Sequence, residues 1–421
     1  MILAIFIILI IIGVPIAFVL GISSLAYLLR LEMPLVLIPQ RMFIGLNSFL
    51  LLAVPLFVVA GKLMNETGIT DKLVDFASLL LGRLRGGLAY VNIVASMLFA
   101  GITGTGAADT SAIGSVMIPA MIKQGYRADY SAAVTAISSV IGPVIPPSLA
   151  MLVYGAIAQV SIAKLFLGGV IPGILLGLVQ IAIAAFYAKI KHHPLRREEI
   201  SLKKAAKITY EAIVGLIMPL IIIGGILTGV FTATEAATIA VFYALIIGFF
   251  VYRKLTFSKL KKVLLETGIL IGPVLVIIAT ANLFGWILTA EAIPEKIADS
   301  IKLITTNPFL ILLLMNVVFL FVGTFMETLA SIVLLTPIFL PLATSIGMDP
   351  VHFGVMMVVN LNIGLTTPPL GVCMFIACPL AGISIKDFVK ALWPFLLGSI
   401  GVLLLITYIP PLVMFIPNLL K

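Results

Sequence analysis

Apolar runs follow one another along almost the whole chain, near residues 2–20, 50–66, 128–141, 165–188, 211–230, 236–252, 264–290, 308–322, 352–366 and 392–415. Most are long enough to cross a hydrocarbon core of about 30 Å as helices. They lack the strict alternation of apolar and polar residues that membrane β-strands need. With 62% hydrophobic and only 10% charged residues among 421, the chain cannot cover itself with a water-facing surface. The sequence therefore predicts an all-α polytopic membrane protein. The first run starts at Met1 without a basic leader or a cleavage pattern, so it reads as a retained helix. Cys373 and Cys378 lie in an apolar segment and read as packing residues, with no transition-metal site.

The net charge of +9 speaks of topology, because basic residues collect in cytoplasmic loops of membrane proteins. It gives no case for nucleic acid, and contact with anionic membrane lipid would be incidental. "KIKHHPLRREEISLKKAAK" from Lys189 and "YRKLTFSKLKK" from Tyr252 are the densest clusters, and both belong inside. Counting crossings back from them places Lys123 and Arg127 inside as well. The segment 88–122 must then enter from the cytoplasm and return to it as a re-entrant hairpin. Arg30, Arg41, Lys296 and Lys302 fall outside on this count. His192 and His193 read as solvated loop residues, Trp286 and Trp393 as interface anchors.

Shifting the sequence by 222 residues aligns Gly101 with Gly323, Pro119 with Pro341, Gly125 with Gly347, Gly142 with Gly364, and Pro146 and Pro147 with Pro368 and Pro369. Glycine and proline fix backbone geometry, so ungapped coincidences of these residues signal a structural duplication. Upstream, with a two-residue slip, "GKLMNETGITDKLVDFA" resembles "GWILTAEAIPEKIADSI". The second hairpin, about 308–346, opens from outside, which makes the halves inverted. Three segments follow: 1–190 as the first repeat with a broken helix at 128–159; 191–232 as a basic cytoplasmic loop and linking helix; and 233–421 as the second repeat with a broken helix at 352–380. Pieces before each hairpin, "GITDKLVDFASLLLGRLRGG" and "AIPEKIADSIKLI", suit interfacial amphipathic helices.

Non-helical backbone survives within a membrane only where protein or a polar cavity surrounds it. The hairpin tips and the breaks "SSVIGPVIPPS" and "NLNIGLTTPPLG" free carbonyls beside serine and threonine hydroxyls. Such hard oxygens suit an alkali cation, and half-helix N-termini could face an anionic substrate.

These two breaks, together with "GITGTGAADTSAIGSVMIPAM", "GTFMETLASIVLLTPIFLPLA" and "LLAVPLFVVAGKLMNETG", resemble the large membrane subunit of tripartite ATP-independent periplasmic (TRAP) transporters over nearly the whole chain. The resemblance implies an inverted-repeat, elevator-type transporter with two re-entrant hairpins and two broken helices. It implies sodium as the coupling ion, no other cofactor, and import of an organic acid. It further implies a location in a bacterial or archaeal cytoplasmic (inner) membrane. Implied partners are a small four-helix membrane subunit, expected as a separate chain, and a periplasmic substrate-binding protein. Carried over by position, the first sodium site would use Thr103, Gly104, Thr105, Gly142, Val144 and Pro146. The second would use Gly323, Thr324, Gly364, Thr366 and Thr367. Residues just past the tips, Asp109, Thr110 and Ser111 in one half and Glu327, Thr328 and Ser331 in the other, are the substrate candidates. The two carboxylates could instead hold the hairpins, balance sodium or face a partner's arginine.

Other classes fit less well. An intramembrane protease needs a GxGD-type aspartate pair or a Ser/His dyad within spans, and neither is present. No Lys-Ser/Thr follows the glycines of the first tip, so it is no phosphate cradle. A proton-coupled carrier of the same fold and an ion channel remain the alternatives.

Overall fold

The computed structural model describes residues 2–194 and 201–419, with the side chains of all of these except 100–103, 298, 302 and 304. Arg196 and Arg197 lie outside the described residues, as do the side chains of Thr103 and Lys302. Every regular element among the described residues is a helix, and eight of them are long and apolar enough to cross a membrane.

The chain begins with α1 (Ile2–Ile11) and α2 (Ile16–Arg30), where a single helix over 2–20 was expected. Gly13, at φ +86°, and Pro15, which has no amide hydrogen to donate, divide the run. Then come α3 (Leu37–Leu46), α4 (Ala53–Glu66) and the short amphipathic α5 (Ile69–Leu81). The first hairpin is α6 (Gly87–Thr103) and α7 (Gly106–Lys123); the first broken helix is α8 (Ala128–Ser138) and α9 (Leu149–Ala158), followed by the long α10 (Ile162–Ile190). After the basic loop, α11 (Leu202–Leu227) and α12 (Ala233–Ile246) lead to α13 (Phe257–Ala290) and the second short amphipathic helix, α14 (Ile293–Ile304). The second hairpin is α15 (Pro308–Phe325) and α16 (Thr328–Ser345); the second broken helix is α17 (Pro350–Gly364) and α18 (Val372–Ala381). The chain closes with α19 (Ile385–Tyr408) and α20 (Pro411–Met414).

The 222-residue offset of the sequence is thus an offset of structure. It carries α7 onto α16 residue for residue, and α6, α9 and the start of α10 onto α15, α18 and the start of α19 within one residue. The two-residue slip upstream brings the start of α5 onto that of α14. Both breaks hold a cis bond at the equivalent place, Pro146-Pro147 and Pro368-Pro369.

Packing sorts the helices into two groups. In one, α2, α3 and α4 lie against α13, and α12 joins α4 and α11. In the other the halves interlock, with α7 against α18 of the opposite half and α16 against α9. Buried polar pairs fasten each hairpin to its own broken helix. Asn92 donates to the Thr135 hydroxyl at 2.6 Å and Ser96 meets Ser138 at 3.1 Å. In the second half Asn360 donates to the backbone oxygen of Asn316 at 2.9 Å and to its Oδ1 at 2.7 Å. Such bonds are hard to break in an apolar interior, where no water replaces the lost partner.

His193 is not a freely solvated loop residue. Its ring is wedged between Tyr126 and Tyr130, with centroids 4.9 and 4.7 Å away, because the loop after α10 folds back over the start of α8.

Candidate functional site

Each hairpin tip ends where a side chain caps the returning helix. Thr105 accepts from the amide of Ala108 at 3.4 Å, and Glu327, its equivalent 222 residues on, accepts from Leu329 and Ala330 at 2.8 and 3.2 Å. An N-cap oxygen satisfies amides that the first helical turn leaves free. The turn before α7 uses Gly104 at φ +65°, a conformation that most side chains resist.

The two tips meet. Gly104, Thr105, Gly106 and Ala107 of the first hairpin, and Glu327, Thr328 and Leu329 of the second, line one cavity of about 30 Å³. Pro143 of the first break and Asn362 and Leu365 of the second complete its wall. Roughly one water-sized guest fits such a volume. Thr328 donates toward Asn362 Oδ1 at 3.4 Å. Asn362 is not among the candidates read from the sequence, although it stands inside the quoted second break, two residues after Asn360 on a mostly apolar helix.

The second half shows close backbone contact where glycines were expected to matter. A Cβ on Gly364 would come within 2.7 Å of the Cα and carbonyl carbon of Gly323. Nothing larger lets the end of α15 touch the end of α17. Beside this crossing, Thr366 and Thr367 both donate to the carbonyl of Ile363 at 2.9 Å, and Thr324 donates to Phe321 at 2.7 Å. A hydroxyl that has spent its proton on a carbonyl keeps lone pairs for a cation. In the first half Gly142, Val144 and Pro146 are buried, and Ser148 caps α9 while donating to the Pro143 carbonyl.

The substrate candidates separate. Glu327 and Thr328 face the shared cavity. Asp109 stands away from that cavity's lining, fully buried with the Ser96 and Ser139 hydroxyls as its polar neighbours, and among the described residues neither of its oxygens has a hydrogen bond of good geometry. Thr110 is buried and donates to Gly106 at 2.9 Å, whereas Ser111 is exposed on another side of α7. Ser331 is buried and donates to the Glu327 carbonyl at 3.0 Å.

A second, larger cavity of about 880 Å³ lies between α3 and α13 on one side and α9 and α16 on the other. Trp286 lines it, under the guanidinium of Arg41 at 4.7 Å from the ring centroid, rather than standing as a simple interface anchor. Trp393 is exposed on α19.

Comparison with known proteins places this geometry. The protein is 42% identical over 418 residues to the YgiK protein of Salmonella typhimurium, covering 98% of this chain and 96% of that one. It is 38% identical over 408 residues to the sialic acid TRAP transporter large permease protein SiaM of Vibrio cholerae, covering 97% and 95%. Against the isethionate TRAP transporter permease protein DctMQ of Oleidesulfovibrio alaskensis it is 42% identical over 406 residues, covering 96% of this chain and 64% of that protein. The solved structure of Neisseria gonorrhoeae MtrF superposes with a TM-score of 0.62 at 14% identity, over 88% of this chain and 84% of the other, a likeness of fold alone. The family model described as the tripartite ATP-independent periplasmic transporter, DctM component, matches residues 3–412. This chain, a multi-pass membrane protein with duplicated hairpins and broken helices, belongs to the DctM family of TRAP transporter large permeases.

Proposed function

We propose that this permease is the membrane subunit of a sodium-coupled secondary importer of organic acids in the cytoplasmic (inner) membrane of a bacterium or archaeon. The observation that carries the reading is the meeting of both hairpin tips around one small cavity, beside breaks that leave hydroxyl and carbonyl oxygens available. Thr103, Gly104, Thr105, Gly142, Val144 and Pro146 would hold one sodium ion. Gly323, Thr324, Gly364, Thr366 and Thr367 would hold a second. Glu327, Thr328 and Ser331, with Asp109, Thr110 and Ser111, are the proposed surroundings of the substrate. Glu327 is already engaged by two amides, which suits a carboxylate that shapes a tip and balances cation charge. The repeat boundaries 1–190, 191–232 and 233–421 belong to the same proposal.

The interlocked hairpins and broken helices would move as one body against the group built on α13, an elevator motion. α5 and α14 sit immediately before the hairpins and would brace the static part. The relatives named for a C4-dicarboxylate, sialic acid or isethionate suggest the class of substrate. A protein in which an equivalent of this chain makes up 64% of the length, named DctMQ, supports a small four-helix Q-type partner for this one. A soluble substrate-binding protein of the periplasmic type would deliver the substrate.

The test is uptake into proteoliposomes that contain this chain with its small subunit and binding protein. An inward sodium gradient should drive accumulation, and replacing sodium by choline should abolish it. Uptake that follows a pH gradient without sodium would make the carrier proton-coupled. Conductance without any co-solute would make it a channel.

A further inference from the structure

We propose that the 880 Å³ cavity between α3, α9, α13 and α16 is a separate binding site for an organic acid anion, carboxylate or sulfonate, an antechamber in which Arg41 holds the anion before it reaches the hairpin tips. The substrate class rests on the function proposed above; the site itself rests on the following geometry.

The cavity lies far from the basic loops. α13 begins among Lys259, Lys261 and Lys262 and rises about 1.5 Å per residue, so Asn282 and Trp286 stand on the order of 40 Å from that end. Gln159 and Ser161 line it from the start of α10, whose other end carries Lys189. By the positive-inside rule this is the side from which a binding protein would release its cargo. Val333 and Pro337 of α16 form the wall nearest the second hairpin tip. The space therefore runs along the seam between the α13 group and the interlocked hairpins.

Its electrostatics are one-sided. Among the described residues Arg41 is the only charged one on the lining, no acidic side chain lines it, and Arg41 pairs with no carboxylate. How Arg41 comes to be there is local geometry. Gly45, one turn further along α3, crosses α13 at Asn282 so tightly that a Cβ would fall 2.6 Å from the asparagine Cβ. One turn back on α3 and one turn on along α13, Arg41 then meets the face of Trp286. A cation held over a ring keeps its N–H donors, and a guanidinium presents them in a fork that suits a bidentate carboxylate. Asn282 and Gln159 supply further donors. The volume falls within the range of small-molecule sites.

The experiment uses the chain with Trp393→Phe, which leaves Trp286 as the only tryptophan. Its fluorescence is titrated in choline buffer with succinate, sialic acid and isethionate, against chloride at matched ionic strength. A saturable change is expected with at least one of the three and not with chloride. Adding Arg41→Gln should weaken that half-saturation by about tenfold or more, as befits loss of a charged hydrogen-bonded contact, while Arg41→Lys should weaken it less. Thermal unfolding checks that both variants remain folded. No saturable change with any anion, or one that Arg41→Gln leaves intact, overturns the proposal. Because the titration contains no sodium, failure of sodium coupling in the uptake assay would leave this result standing, and the reverse holds as well.

Discussion

Replacing Gly364 by alanine tests the tightest contact of the second half. The new methyl would lie 2.7 Å from two backbone atoms of Gly323. Relaxed carbon contacts lie at about 3.5–4.0 Å, so α15 and α17 must part by roughly 1 Å. Overpacking of this kind costs about 1–3 kcal/mol, and since Gly364 is the last residue of α17 the helix propensity of alanine offsets little of it. The control is Gly401→Ala, in the interior of α19, where an added Cβ meets nothing within 4 Å; it should gain about 0.5–1 kcal/mol. The two alanine variants should therefore separate by about 2 kcal/mol in opposite directions, read from unfolding of the purified protein in detergent. Repeating the scan in sodium and in choline adds the functional reading. Sodium at about a hundredfold excess over Kd stabilises the folded chain by about 2.7 kcal/mol, and a tenfold loss of affinity removes about 1.4 kcal/mol of it. If Gly364→Ala is as stable as Gly401→Ala and keeps the whole sodium increment, neither the close crossing nor its role in an ion site stands.

Further expectations concern the polar locks, the cap and the basic loop. Asn360→Leu strips Asn316 of two hydrogen bonds in an apolar interior and should cost about 1–3 kcal/mol; protection of α15 and α17 amides from hydrogen exchange should fall together, and unchanged protection would refute the lock. Thr105→Ala should cost about 1 kcal/mol through the lost cap on α7, with Thr105→Ser close to wild type, as equilibrium unfolding would show. Burial among the tyrosines, with Arg85 adding repulsion, holds the His193 pKa below its ordinary value. The unfolded chain then binds the proton more readily, so this group's contribution is complete above about pH 6.5 and is lost as the pH falls toward the folded value. His193→Gln should flatten that part of the stability profile between about pH 7 and 5; an unaltered slope would mean that the ring is not buried in solution.

Much of this architecture was readable in one dimension. Length and polarity of the apolar runs declared a helical membrane protein, because a bilayer interior tolerates no unpaired backbone. The spacing of Gly323, Pro341, Gly364 and the Pro368-Pro369 pair from their first-half equivalents revealed the duplication, since these residues constrain the chain locally wherever they occur. Thr105 and Glu327 enter from the resemblance, as an ion and a substrate candidate; that both cap helices at corresponding places is a finding of the structure. The exchange of partners between halves, α7 with α18 and α16 with α9, could not be read, because a repeat does not say which copy packs on which. Nor could the sorting of substrate candidates, which depends on helix rotation. On α7, Asp109 turns into protein while Ser111, two residues on, is exposed. Arg41 and Trp286 gave only a topology misfit and an aromatic ring in the sequence. Their meeting depends on two helices from opposite halves of the chain crossing at Gly45, a contact that tertiary packing alone decides.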